Sequence, residues 1–171
     1  VIEGKNLKAL INMGGDLFYN PNNTNSTFEI PKNSGKSTIF AGQLWIGGVD
    51  SATGQVLASA QTYRQSIRAW HEGPIANNFN GNYDRVYFAT QSEVDSHLNN
   101  YQNSAYTVPQ NFSDWPVSGD QNNGEPAELA PFSDVNQNGI YDPENGDHPR
   151  VRGNSAVYSV FNDIRDTIPF Q

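Results

Sequence analysis

The stretch Lys32-Asn33-Ser34-Gly35-Lys36-Ser37-Thr38, continued by Ile39-Phe40-Ala41-Gly42-Gln43-Leu44-Trp45-Ile46-Gly47-Gly48, settles the fold class. Its first seven residues look like a phosphate-binding loop. That loop needs a glycine five positions before Gly35, where this chain has Ile30, and a helix directly after Thr38. Ile39 to Gly48 is instead an apolar, glycine-punctuated run with strand character and no helical period. The turn therefore enters a core strand, and the chain reads as mainly β.

On the C-terminal side of this run, Asp50 to Gln55 is a turn. Val56 to Tyr63 alternates apolar and polar residues, so Phe40–Val49 and Gln55–Arg64 are expected to form a hairpin. Upstream, Lys5 to Asn12 reads as an opening strand with Leu7, Ala9 and Ile11 on one face. Leu17-Phe18-Tyr19 and Thr27 to Pro31 come next as short strands. Downstream, Asp84 to Ala89 and Ala156 to Phe161 are strands. One helix is expected at about 91–101. Thr90 and Glu93 fit a capping box before it, and Val94, Leu98 and Tyr101 share a face. Short strands with turn chemistry between them predict a β-sandwich-like domain, one unit over residues 1–171.

A second stretch carries chemistry: Asp134-Val135-Asn136-Gln137-Asn138-Gly139-Ile140-Tyr141-Asp142-Pro143-Glu144-Asn145-Gly146-Asp147. Oxygen-bearing side chains at alternate positions, a glycine, and then another carboxylate are the order in which a calcium loop presents its ligands. Asp134, Asn136, Asn138 and Asp142 would supply side-chain oxygens. Ile140 would supply its carbonyl and anchor the loop through its side chain. The first half matches an EF-hand loop. The second does not, because the twelfth position is Asn145 and Pro143 blocks an exiting helix. Asp147, or else Glu144, is left to close the site. The amides lower the charge of the site, so an affinity on the order of 10⁻⁴–10⁻³ M is expected, the extracellular range.

With 18 acidic and 10 basic residues the chain carries a net charge of -8, which argues against nucleic-acid binding and against a polybasic membrane patch. It has no cysteine, so disulfides, thiolate metal sites and cysteine nucleophiles are excluded. No apolar run approaches the roughly 20 residues of a membrane span. His71, His97 and His148 are not at metal-ligand spacing and no Gly-x-Ser-x-Gly elbow occurs, so an enzyme is not expected. A secreted hydrolase is the weakest of the readings. A tryptophan can stack on a sugar ring. Trp45, inside an apolar strand, is expected in the core, and Trp70, among Arg68, His71 and Glu72, is the candidate ligand contact.

Several segments resemble, in order, the N-terminal region of large secreted surface proteins of Bacteroidetes exported by the type IX secretion route. They are Gly14-Gly15-Asp16-Leu17-Phe18-Tyr19, the Ile39 to Asp50 run, Ala60-Gln61-Thr62-Tyr63-Arg64, Gly73-Pro74, Trp115-Pro116, Leu129 to Pro143, Gly146-Asp147-His148-Pro149 and Val160-Phe161-Asn162-Asp163. The resemblance spans nearly the whole chain, and Leu129 to Pro149 is its most specific part. It implies secretion to the bacterial cell surface and a longer chain of which these residues are the N-terminal part. Asp50-Ser51-Ala52 and Asp166-Thr167-Ile168 resemble the short O-glycosylation signal of the same phylum, with Ser51 and Thr167 as acceptors.

The resulting expectation is a non-enzymatic, secreted structural or adhesive module stabilised by structural Ca²⁺. Its partners would be other surface proteins or its own copies. The alternative is a calcium-dependent carbohydrate-binding module.

Overall fold

The structure is a computed structural model and describes residues 1–20, 22, 25–60, 70–79 and 81–164. Strand exceeds helix, and the strands pair in small antiparallel sheets, so the chain is mainly β. The contacts gather in two compact units. The first comprises residues 1–75, 79–85 and 159–171, and the second residues 76–78 and 86–158. Charge divides along the same line. The first unit has eight acidic and eight basic residues, whereas the second has ten acidic residues and only Arg150 and Arg152.

In the first unit a four-stranded sheet joins Ile2–Glu3, Lys8–Ala9, Phe28–Glu29 and Ser37–Ile39 in that order. The expected opening strand is cut to Lys8–Ala9 because Gly4 and Leu7 close a turn ahead of it. The strand expected through Leu17-Phe18-Tyr19 is broken by Phe18, whose φ is 68°. That kink aims the Phe18 ring at Phe28, edge on at 4.8 Å, and over Gly42, where a Cβ would stand only 3.1 Å from the ring. The turn that resembles a phosphate loop is engaged from within: Glu29 accepts the N–H groups of Asn33 and Gly35. Those are the donors a phosphate would need.

The expected hairpin forms over Trp45–Val49 and Val56–Ala60, while the end expected at 61–64 lies outside the described residues. β1 (Trp45–Val49) pairs with β2 (Val56–Ala60) in unbroken register, from Trp45↔Ala60 to Val49↔Val56. Trp45 is a correction to the sequence reading, for it is 69% exposed. It lies on the face shared with Gly47, Val49, Val56, Ala58 and Ala60, which no other described layer buries. Trp70 is the opposite correction. It is 6% exposed, its Nε1 donates to the Leu44 carbonyl at 3.0 Å, and its ring meets Phe161 edge on at 5.3 Å. Phe161–Asn162 also pairs with His71–Glu72, so the chain's return past residue 159 completes this unit.

In the second unit β3 (Tyr87–Thr90) leads into helix α1 (Gln91–Asn100) and pairs with β4 (Ser155–Tyr158). The core collects Tyr87, Ala89, Val94, Phe112, Trp115 and Ala130. The capping box forms as expected. Thr90 Oγ1 accepts the Glu93 N–H, and Glu93 accepts both the Thr90 N–H and its hydroxyl. The inward face of α1 is Val94 and His97, not Leu98, which is exposed. No helix among the described residues is long and apolar enough to cross a membrane.

Thr90 contributes through both its acceptor and its donor. Thr90→Ala should lower unfolding free energy by about 1 kcal/mol, read as a lower denaturant midpoint with an unchanged slope.

Candidate calcium loop

The loop from Asp134 to Asp147 belongs to the second unit. Its alternating Asx residues fold it by turning their oxygens back on the chain. Asp134 accepts the N–H groups of Asn138 and Gly139, Asn136 Oδ1 that of Asn138, and Asn138 Oδ1 that of Ile140. The Asn136 and Asn138 turns match the tendency of Asn to bond the backbone two residues on, while Asp134 reaches four and five residues ahead. Gln137 and Gly139 take positive φ, 61° and 78°, which bends the chain tightly enough for the three side chains to face one region.

Asp142 is the hub of that region. Its carboxylate accepts from the side-chain amides of Asn136 at 3.0 Å, Asn138 at 3.1 Å and Asn145 at 2.8 Å. The Asn145 hydrogen bond, more than the others, holds the Asp142 carboxyl below the ordinary carboxylate range. Pro143–Asn145 then forms a 3₁₀ turn ending at Gly146, so Pro143 starts a short turn where an EF-hand would continue into a helix.

Asp147 is fully buried and joins the two ends of the loop. Its Oδ1 accepts the Val135 N–H at 2.8 Å and its Oδ2 the Asp142 N–H at 3.0 Å. Glu144 is exposed. Of the two residues considered for closing the loop, Asp147 is the one turned inward.

The anchoring role expected of Ile140 is corrected. Ile140 is 66% exposed. The next residue carries the anchor. Tyr141 donates its hydroxyl to the Phe112 carbonyl at 2.7 Å and packs edge on against Phe132 at 5.3 Å. Burial pushes the Tyr141 phenol well above its ordinary range, so it stays a donor.

On α1, His97 is fully buried, with Nδ1 3.2 Å from the Tyr106 hydroxyl and its ring edge on to Phe112. Burial, reinforced by the charge of His148, pushes its imidazole down. The sequence offered no signal for this beyond a histidine one turn after Val94.

The oxygens available to a hard cation are therefore the carboxylates of Asp134, Asp142 and Asp147, the amide oxygens of Asn136 and Asn138, and the Ile140 carbonyl. An amide oxygen has two lone pairs, so Asn138 Oδ1 can keep the Ile140 N–H and still face a cation. An all-oxygen set suits calcium or magnesium and disfavours soft metals. Among the described residues, no three acidic or imidazole side chains stand in coordinating geometry with one another. The carboxylates here are turned to N–H groups.

Of the remaining candidates, Trp70 is buried and offers no face to a sugar ring. Ser51 is exposed at the tip of the β1–β2 turn, where Asp50 accepts the Ala52 N–H and the Thr53 hydroxyl. Thr167 lies outside the described residues. A shallow cleft of about 690 Å³ runs beside the loop tip, between Pro116–Val117, Leu129–Phe132 and Ile140. Comparison of the chain with family models, with curated proteins and with solved structures returned no match.

Asp147→Asn sets an amide N–H₂ against a backbone donor in a buried place and should cost about 1–3 kcal/mol. Chemical denaturation measures it. Acid should act in two stages. His97 has a folded pKa below its unfolded value near ~6.5, so stability falls as pH drops through that value. Asp142, also depressed, adds stability that is complete above ~3.9 and is lost as pH falls through its lower folded pKa. His97→Gln should remove the first stage only, seen in melting temperature against pH.

Proposed function

We propose that this chain is a secreted cell-surface module with a structural or adhesive role and no catalytic one, and that Ca²⁺ bound in the Asp134–Asp147 loop stabilises it. One observation carries the reading. Three carboxylates are gathered in one loop, one of them fully buried, and among the described residues no Lys or Arg pairs with any of them. Arg150, the nearest in sequence, spends its guanidinium on the Phe132 carbonyl. Like charges brought together without a counter-charge oppose folding. A divalent cation reverses that term, and the available donors are the hard oxygens it takes. Asp134, Asn136, Asn138, the Ile140 carbonyl, Asp142 and Asp147 would hold it. The sandwich-like packing expected from the strand spacing belongs to the same proposal, and the small antiparallel sheets are compatible with it.

Secretion to a bacterial surface is what the family resemblance of the sequence implies, and the low-charge, polar composition agrees with it. Ser51, exposed on a hairpin turn, is the accessible acceptor for a glycan. The carbohydrate-binding alternative loses its best residue with the burial of Trp70.

Calcium binds the folded loop and not the unfolded one, so it should stabilise by mass action. At ten to a hundred times the dissociation constant the gain is about 1.4–2.7 kcal/mol. Melting of metal-free protein in excess chelator and in excess calcium tests this. The expected result is a higher melting temperature with calcium, protection from proteolysis near Asn138, and loss of both effects in Asp134→Ala. Identical melts from demonstrably metal-free protein would overturn the reading.

A further inference from the structure

The β1–β2 hairpin presents an apolar face that no other described layer covers. Alternate residues of the two strands divide between its sides. One side carries Ile46, Ser59 and Leu57; Ile46 and Leu57 are also exposed, at 53% and 40%, but Ser59 ties this side to Asp163 of the same unit by a 2.6 Å hydrogen bond. The other side carries the cross-strand pairs Trp45–Ala60, Gly47–Ala58 and Val49–Val56. No polar side chain interrupts it. Trp45 is 69%, Val49 67% and Val56 54% exposed.

Natural sheets guard exposed strand edges with charges, prolines or bulges. This one has none. From Gly42 to Ala60 the only charged residue is Asp50, at the turn, and the register runs without a bulge. A two-stranded hairpin is at best marginally stable alone in water, and a bare apolar face of this kind marks a contact.

We infer that this face is a self-association surface, on which the same face of a second copy of the chain packs about a two-fold axis. Three features on the molecule select that occupant. The first is shape: Trp45 stands at one end, Val49 and Val56 at the other, and Gly47 and Ala58 leave a dip between them. A two-fold axis through the dip sets each Trp45 against the valine pair of the other copy, an isologous arrangement. The second is charge. The face itself carries no charged side chain, so two copies packed on it bring no like charges into contact, and it selects no charged partner. The third is area. Trp45, the two valines and the small residues between them expose on the order of 400 Å² of apolar surface. A standard interface carries about 450 Å² of apolar surface per partner. The inference names the partner of the structural module proposed above and rests on that reading for its use at a surface. The packing itself does not involve the calcium loop.

The test is analytical ultracentrifugation of the whole chain from micromolar to millimolar concentration, with tryptophan fluorescence in the same samples. Trp70 and Trp115 are already buried, so a concentration-dependent blue shift reports Trp45 alone. The expected result is a dimer whose formation shifts the emission to the blue. Val49→Lys with Val56→Lys should weaken it by about a hundredfold or more, because the ammonium groups would have to be desolvated in the interface without a counter-charge. Thr53→Lys, in the exposed turn, should leave it unchanged. A chain that stays monomeric throughout, a dimer without the shift, or a dimer that Val49→Lys/Val56→Lys leaves intact would each overturn the inference. Should the double variant misfold by circular dichroism, the fluorescence of the unaltered chain decides alone. Each run is made in excess calcium and in excess chelator. Association that persists while calcium leaves the melt unchanged rejects the calcium reading only. A calcium-dependent melt from a strictly monomeric chain rejects this inference only.

Discussion

The carboxylate of Asp147 is the constraint on which the second unit depends. It is out of contact with water and receives one N–H from each side of the loop, Val135 and Asp142. Hydrogen bonds to a charged group stabilise by about 1.5–3 kcal/mol each. Burying a charge without a counter-charge costs several kcal/mol. The two terms are of the same size, so the position of Asp147 is settled by what else shares the loop. Tyr141, bonded to the Phe112 carbonyl, pulls the middle of the loop toward the core, and Asp142, holding three amides, keeps its tip closed. Charge balance, more than hydrophobic content, governs this loop. Its large apolar residues outside the anchor, Val135 and Ile140, are both exposed.

The parts legible in the sequence were those fixed by neighbours along the chain. The helix start was one, because a capping box is closed within four residues. The β1–β2 hairpin was another, because its turn and alternation are local. The alternating Asx residues of the loop were a third, although the sequence aimed their oxygens at a cation and the structure turns them to backbone N–H groups. Features that depend on distant partners did not show. Trp70 sits among polar residues in the sequence, yet its burial is decided by Leu44 and Phe161, far away along the chain. Trp45 sits among apolar residues, yet no described layer covers its face. Leu98 and His97 exchanged places for the same reason: the pocket under α1 is lined by Tyr106 and Phe112 and suits a ring. Phe18 shows a different limit. A bulky residue at positive φ is uncommon, and the aromatic contact it reaches with Phe28 is invisible in a strand-like run.

The order of the chain explains how the two units coexist. The second is inserted into the first, which the chain leaves near residue 86 and rejoins near 159. Tyr87 and Tyr158 are cross-strand partners, so the insertion begins and ends at adjacent points. An inserted segment whose ends meet disturbs its host little. The β3–β4 pairing also lets the packing of the core around Trp115 and Tyr158 close without help from long strands. This is how a chain of two- to five-residue strands keeps an ordered interior.

The unequal sharing of charge has a colloidal consequence. Every surplus negative charge of the molecule lies in the unit that holds the Asp134–Asp147 loop, while the unit with the bare hairpin is neutral. Electrolyte at about 0.1 M screens beyond roughly 10 Å. It therefore relaxes the self-repulsion of one unit and leaves the hydrophobic face of the other to be strengthened by excluded salts. Salt thus acts on the chain through two different stretches of its sequence, by screening in one and by apolar burial in the other.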